Sequence, residues 1–301
     1  MIKNFVELIE NLQDFKVRED DVWITTFPKC GTTWMQEMCW LILNNYDFKV
    51  AKQSNLELRS PFLEFNALVS PDLLNTVEML EQLKSPRLIK SHLSIRFLPK
   101  DIWTKKAKII HVIRDPRDAV LSQYYMLSSF THVTIEEFAK AYMDGYPFFN
   151  SSGTFWSYNL DFWKLRYNPN YLLVNFEEMK TNLASVIKKV CSFLNKPINE
   201  EQMAKMLEHL SFENMKSGLI THNMFSLINI SNSGNDMVNH RLVGGHKSEF
   251  SPELSVIFNE WVLKTTTTKQ IYFKMIRTIY YFVNKRTKNS ERKFNFESNS
   301  H

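Results

Sequence analysis

The sequence predicts an α/β fold: a single three-layer domain whose central parallel β-sheet is flanked by helices, with a P-loop-like strand–loop–helix near the N-terminus. Three observations predict it. Short β-branched runs alternate with longer amphipathic segments along the chain. The runs are apolar throughout, as strands covered on both faces are, rather than alternating apolar and polar. At 301 residues and 44% hydrophobic, the chain is long enough to bury a substantial core.

The elements come in order. "DVWITTF" (21–27) reads as a strand and "TTWMQEMCWLILNN" (32–45) as a helix. "RLIKSH" (87–92) and "AKIIHVIR" (107–114) are strands. "PRDAVLSQYYMLSS" (116–129) is a helix, with Asp115 as its N-cap and Pro116 at the first helical position. "NYLLVNF" (170–176) is a strand and "NLASVIKKVCSFLN" (182–195) a helix. Ligands of open parallel sheets bind beyond the carboxyl ends of the strands. Lys29, His92, Arg114 and Phe176 all fall at such ends.

Charge and cysteines limit the function classes. The net charge is +5, but from Lys264 onward nine basic residues face two acidic ones, a balance of +7. The preceding 263 residues therefore sum to −2, so the basic character belongs to the tail and nucleic acid is not an expected partner. Three scattered cysteines, Cys30, Cys39 and Cys191, have neither disulfide-framework nor metal-ligand spacing. "MIKNFVELIE" carries two glutamates and no apolar run, unlike a signal peptide, and no window is apolar enough to span a membrane. A cytoplasmic address is expected.

The stretch "FPKCGTTW" (27–34) joins the first strand to the first long helix. The first-turn N–H groups of a helix lack intrahelical partners and sit at the positive end of its dipole. Gly31 permits close backbone approach, Thr32 and Thr33 add hydroxyls, and Lys29 adds a full charge. Together they make an anion site, beside which Trp34 can stack on a base. A Walker loop, G-x-x-x-x-G-K-S/T, is absent, because Lys29 precedes Gly31 and Pro28 occupies the bend.

The stretch resembles the 5′-phosphosulfate loop of cytosolic sulfotransferases, Y-P-K-S-G-T-T-W, with Phe27 and Cys30 as the two departures. The resemblance covers about residues 15 to 262 and implies 3′-phosphoadenosine 5′-phosphosulfate (PAPS) as co-substrate, with no metal. It divides the chain into a sulfotransferase domain, 1–262, and a basic tail, 263–301, that is helical or disordered. Lys29, Cys30, Gly31, Thr32, Thr33 and Trp34 would hold the phosphosulfate end. Arg114 and Ser122 match the family's 3′-phosphate motif, R-N-x-x-D-x-x-x-S, and arginine grips phosphate bidentately. "VNFEEMK" and "LSFENMK" place Phe176, Phe212 and Met215 near the base. The closing motif, R-K-G-x-x-G-D-W-K, has its counterpart in "NHRLVGGHKSEFS" (239–251), where a one-residue deletion brings Arg241 to the arginine position.

The catalytic candidates lie in "LIKSHLS" (88–94), which resembles the family's K-S/T-H-L/F segment. Lys90 and His92 are two apart, on one face of a strand. Histidine is the commonest general base near neutral pH. The resemblance implies that His92 deprotonates a hydroxyl or amine acceptor, that Lys29 stabilises the leaving oxygen, and that Lys90 polarises the sulfonate. An apolar acceptor pocket is expected near Phe62, Phe65, the segment 145–163 and the lid before 238, for a small phenol, steroid or alcohol. Two alternatives stand beside this reading: a PAPS-binding protein without turnover, and a P-loop-type nucleotide kinase. The tail could lie on an acidic surface. The family's dimer signature, K-x-x-x-T-V-x-x-x-E, is degraded at 247–256, so the sequence leaves monomer and dimer open.

Overall fold

A computed structural model describes residues 2–68, 76–128, 132–145, 153–215 and 243–267. Four strands form one sheet in the order β2-β1-β3-β4. They are β1 (Val22–Thr26), β2 (Leu88–Ser91), β3 (Lys108–Ile113) and β4 (Tyr171–Asn175). All three pairings are parallel, with Ile24 opposite Lys90 and Ile110, and Ile110 opposite Leu172. The expected α/β architecture is therefore present, and every strand read from the sequence lies within one residue of its predicted ends.

Strand alternation divides the core into two halves. Trp23, Ile89, Ile109 and Ile113 turn to one face, where they pack with Phe155, Phe162 and Phe258. Val22, Ile24, Leu88, Ile110, Val112 and Val174 turn to the other. There the Thr32–Leu43 and Leu183–Leu194 helices cover them with Met35, Met38, Val186 and Val190. Both faces are covered, which is why apolar residues occupy consecutive strand positions, with polar ones such as Thr25, Thr26, Lys90, Ser91, His111 and Asn175 buried among them.

The amino ends of β1 and β2 are tied by a buried pair. Arg87 donates from Nε to Asp21 Oδ1 (2.8 Å) and from Nη2 to Asp21 Oδ2 (2.6 Å). At the carboxyl ends of the same two strands the tie is instead the His92 ring, whose Nδ1 lies 2.8 Å from the Thr26 carbonyl oxygen. The Pro116–Leu127 helix begins as expected: Asp115 accepts from Arg117 N, and Pro116 occupies the first turn. Phe176 departs from expectation in a small way. It begins the short Phe176–Thr181 helix rather than ending β4. The Pro252–Thr267 helix crosses residue 262 without a break.

Candidate active site

The loop after β1 turns sharply into the Thr32–Leu43 helix. Lys29 (φ 67°) and Gly31 (φ 101°) both lie in the left-handed region, which costs a non-glycine residue about 1–2 kcal/mol unless the surroundings hold it. Gly31 is required here on a second ground: a Cβ would sit 2.7 Å from the Phe176 ring. The helix N-cap is Gly31, which has no side chain to cap the first-turn amides. Lys29, Gly31 and Thr33 are partly exposed, whereas Cys30, Thr32 and Trp34 are buried. These residues fit a sulfate- or phosphate-sized anion: a close-approach glycine, uncapped helix amides and an adjacent ammonium.

Cys30 faces inward. Its thiol is fully buried, and burial pushes its pKa up to about 12, so it stays protonated and unreactive. Phe27 is likewise part of the core, with Phe155 and Tyr158 at ring distances of 5.2 and 5.7 Å. A phenylalanine in place of the family's tyrosine therefore leaves no hydroxyl to satisfy.

His92 follows β2 directly and is held from two sides. Its backbone N–H donates to Glu64 Oε1 (2.8 Å), which also accepts from Ser91 Oγ (2.7 Å). Its ring Nδ1 lies 2.8 Å from the carbonyl oxygen of Thr26, with Thr26 Oγ1 at 3.2 Å. A carbonyl can only accept, so Nδ1 carries the proton and Nε2 the lone pair. The Phe62 ring meets the imidazole edge-on at 5.0 Å. Desolvation, with the Lys90 charge second and Lys29 smaller, pushes the His92 pKa down to about 3.

Lys90 shares that phenylalanine. The sequence assigns Lys90 to the sulfonate, whereas its ammonium here lies 4.5 Å from the Phe62 ring centre and 3.1 Å from Glu57 Oε1. Phe62, Phe65 and the aromatics of 155–163 are all buried, and Phe62 is in ring contact with His92.

Arg114 follows β3 and is buried. Its Nη1 donates to the Lys29 carbonyl (3.0 Å), and its guanidinium stacks 4.3 Å from the Phe176 ring centre. Ser122 is buried two turns along the following helix. Behind Arg114, burial raises the Glu177 carboxyl to about 7 while Glu177 Oε1 accepts from Asp115 N (2.9 Å).

The base-side residues converge. Trp34 Nε1 donates to the Leu210 carbonyl (3.1 Å), which fixes the indole against the segment carrying Phe212 and buried Met215. Lys180, one helical turn beyond Phe176, puts its ammonium 5.4 Å from Trp34 and 5.0 Å from Phe212.

On the lid side, Arg241 lies outside the described residues, as do 146–152 and the segment 216–240. The turn at 244–246 is fastened to the Pro116–Leu127 helix through one carboxylate. Asp118 accepts from Gly244 N (2.7 Å), His246 N (3.2 Å) and His246 Nδ1 (2.7 Å). Hydrogen bonding by His246 and the charge of Arg114 overcome burial and hold the Asp118 carboxyl below its usual range.

Sequence reasoning does not single out Glu64, Glu177 or Lys180, and it gives no role to Asp118, although Asp118 falls on the aspartate of the R-N-x-x-D-x-x-x-S motif. A glutamate inside the apolar run "PFLEF" is the one local signal for Glu64. Among the described residues, no group of three or more His, Cys, Asp or Glu side chains could hold a metal ion, and no helix is long and apolar enough to cross a membrane.

Comparison with known proteins matches residues 19–270 to the sulfotransferase domain family. The luciferin sulfotransferase of Photinus pyralis is 32% identical over 306 aligned positions, covering 92% of this chain and 80% of that protein. Sulfotransferase 1 family member D1 of Mus musculus is 38% identical over 209 residues, covering 68% of this chain and 69% of its own. Among solved structures, retinol dehydratase in complex with androsterone and the inactive cofactor PAP superposes with a TM-score of 0.75 at 22% identity, over 87% of this chain and 85% of its own. That identity supports the likeness of fold alone.

Proposed function

The chain belongs to the sulfotransferase family, and on that premise we propose that it transfers a sulfuryl group from PAPS to the hydroxyl or amine of a small, largely apolar acceptor, with His92 as general base. The observation that carries the reading is the His92 Nδ1 contact with the Thr26 carbonyl at 2.8 Å, which commits the proton to Nδ1 and leaves Nε2 able to accept one. Phe62 beside the ring supplies an apolar wall for the acceptor.

PAPS, when bound, supplies the sulfuryl group and a stable leaving phosphate. The chain's part is positioning and charge stabilisation. Gly31, Thr32, Thr33 and the first-turn amides hold the anionic end, Arg114 and Ser122 the 3′-phosphate, and Trp34, Phe176, Phe212 and Met215 the base. Lys29 stabilises charge on the departing oxygen as the acceptor's oxygen or nitrogen bonds to sulfur. Nε2 of His92 takes the acceptor's proton. Lys29 also lowers the basicity of His92, so matching its charge with an anion makes the imidazole a better base as the site fills. Lys90 adds to the desolvation that lowers the basicity of His92, and orients the sulfonate. Arg241 serves as the lid's cation. Residues 1–262 are the catalytic domain and 263–301 a basic extension. Three free, buried cysteines support a reducing, cytoplasmic address.

The test is label transfer from PAPS, and separately from ATP, across phenols, steroids, aliphatic alcohols and amines. Transfer from PAPS alone is expected. Transfer from ATP would make the chain a kinase, and tight binding of adenosine 3′,5′-bisphosphate with no transfer across the panel would make it a binding protein. Full activity in His92→Ala would remove His92 as the base.

A further inference from the structure

The contacts of Arg114 reach the loop that holds the other end of the co-substrate. Its Nη1 donates to the carbonyl of Lys29 at 3.0 Å. Lys29 is the non-glycine residue of the loop held in the left-handed region, at φ 67°. The guanidinium also stacks on Phe176, 4.3 Å from the ring centre. That ring lies so close to Gly31 that a Cβ there would come within 2.7 Å of it, and it meets Trp34 edge-on at 6.0 Å. One side chain therefore touches the loop twice: directly at Lys29, and through Phe176 at Gly31 and Trp34.

We propose that Arg114 is a positioning residue for the Lys29–Gly31 loop as well as a ligand of the 3′-phosphate, so that the two anion sites are coupled through it. The inference rests on the proposed function. Its physical basis is that a non-glycine residue at positive φ persists only where its surroundings hold it. The Arg114 donor holds the Lys29 carbonyl, and the Phe176 ring on which Arg114 stacks packs against the neighbouring Gly31. A guanidinium suits the task because its planar face stacks while its edge donates. A lysine could supply charge but not both contacts. The positive charge of Arg114 also acts on the carboxyls of Asp118 and Glu177.

The test compares two probes on one set of variants by calorimetry. Adenosine 3′,5′-bisphosphate engages both anion sites, whereas adenosine 5′-phosphosulfate lacks the 3′-phosphate. Ser122→Ala is expected to weaken the bisphosphate alone. Arg114→Lys and Arg114→Gln are expected to weaken both probes, the phosphosulfate by about tenfold, roughly the worth of one charge-assisted contact. Melting temperatures run alongside, and Arg114→Lys retains the buried charge should Arg114→Gln fail to fold. Undiminished phosphosulfate affinity in a folded Arg114→Lys variant would overturn the coupling, whether or not its melting temperature falls. Failure of the wild-type chain to bind the bisphosphate would instead sink the proposed function, so the two failures are distinguishable.

Discussion

His92 and His111 are alike in chemistry and opposite in wiring. Both are held neutral, with pKa values pushed to about 3 chiefly by desolvation. His111 lies within β3 and has both nitrogens committed. Asn159 Nδ2 donates to the Phe155 carbonyl, so its Oδ1 accepts from His111 Nε2 (3.1 Å), and Nδ1 accepts from the Thr25 hydroxyl (3.1 Å). The ring is stacked on Phe162 at 4.5 Å and fully buried. His92 sits just past the end of β2, is partly exposed, and has Nδ1 pinned to a carbonyl. A depressed pKa therefore does not mark the base. The role proposed for His92 rests instead on its Nδ1 being fixed by a backbone carbonyl at a strand end, a setting His111 lacks.

The largest expected effect breaks the comparison from the functional side. His92→Ala removes the proton acceptor and should lower kcat by about 10²- to 10⁴-fold, the usual worth of a general base. Affinity for adenosine 3′,5′-bisphosphate, measured by calorimetry, should stay within about twofold, because Thr26, Glu64 and Phe62, which His92 touches, are not among the residues proposed to hold the nucleotide. A parallel loss of nucleotide affinity would show that His92 shapes the anion site instead. His111→Ala should do the reverse. It leaves Thr25 and Asn159 without their shared partner in a stacked core, so stability should fall by about 2–3 kcal/mol in chemical denaturation. Turnover of the folded fraction should be unchanged.

Acid acts on both histidines alike and opposes them to two buried carboxyls. A histidine whose folded pKa lies below its unfolded value of 6.5 contributes stability that is complete above about 6.5 and is lost as pH falls toward 3. The buried carboxyls Glu64 and Glu177 act in the opposite sense. Raised from 4.5 to about 7, they contribute stability that is complete below 4.5 and lost as pH rises through 7. Between pH 4.5 and 6.5 the two pairs therefore oppose each other. Below 4.5 only the histidine term changes among these four, and it should show as a steep acid loss. Replacing His111 with Asn should flatten that limb by about 1.4 kcal/mol per pH unit, one proton's worth, in denaturation series across pH. An unchanged acid limb would mean that His111 is not buried neutral.

Much of this was legible in the sequence, and the boundary is physical. The four strands, the Asp115–Pro116 helix start and the glycine at Gly31 are written in local pattern, cap and turn chemistry, which neighbouring residues suffice to specify. The placement of His92 and Lys29 at strand ends was legible because each lies next to a strand that local pattern specifies. Glu64, which anchors the His92 backbone, lies 28 residues away from it. Asp118 holds a lid turn 126 residues further on, and Lys180 reaches an aromatic pair drawn from two distant segments. Such contacts depend on which elements the topology brings together, and no local period encodes them. The stacking of Arg114 on Phe176 is hidden for the same reason: each residue alone reads as a nucleotide contact.

The smallest expected effect sharpens the comparison at Lys90, whose charge lowers the His92 pKa but is not among the causes acting on His111. Lys90→Met alone would strand Glu57 beside the site, so the informative variant pairs it with Glu57→Gln, which removes both members of the 3.1 Å ion pair. Without the Lys90 cation the His92 pKa must rise, because a like charge no longer disfavours the imidazolium. The acid limb of kcat/KM should move to higher pH accordingly, since that limb reports the free protein's essential base. At pH 7 the base stays unprotonated in both proteins, so a purely electrostatic role for Lys90 leaves the rate there within about twofold. A tenfold or greater loss at pH 7, with the acid limb shifted as before, would assign Lys90 the sulfonate contact in addition. An unmoved acid limb would mean that some group other than His92 sets it, and would place His92 with His111 as a structural imidazole.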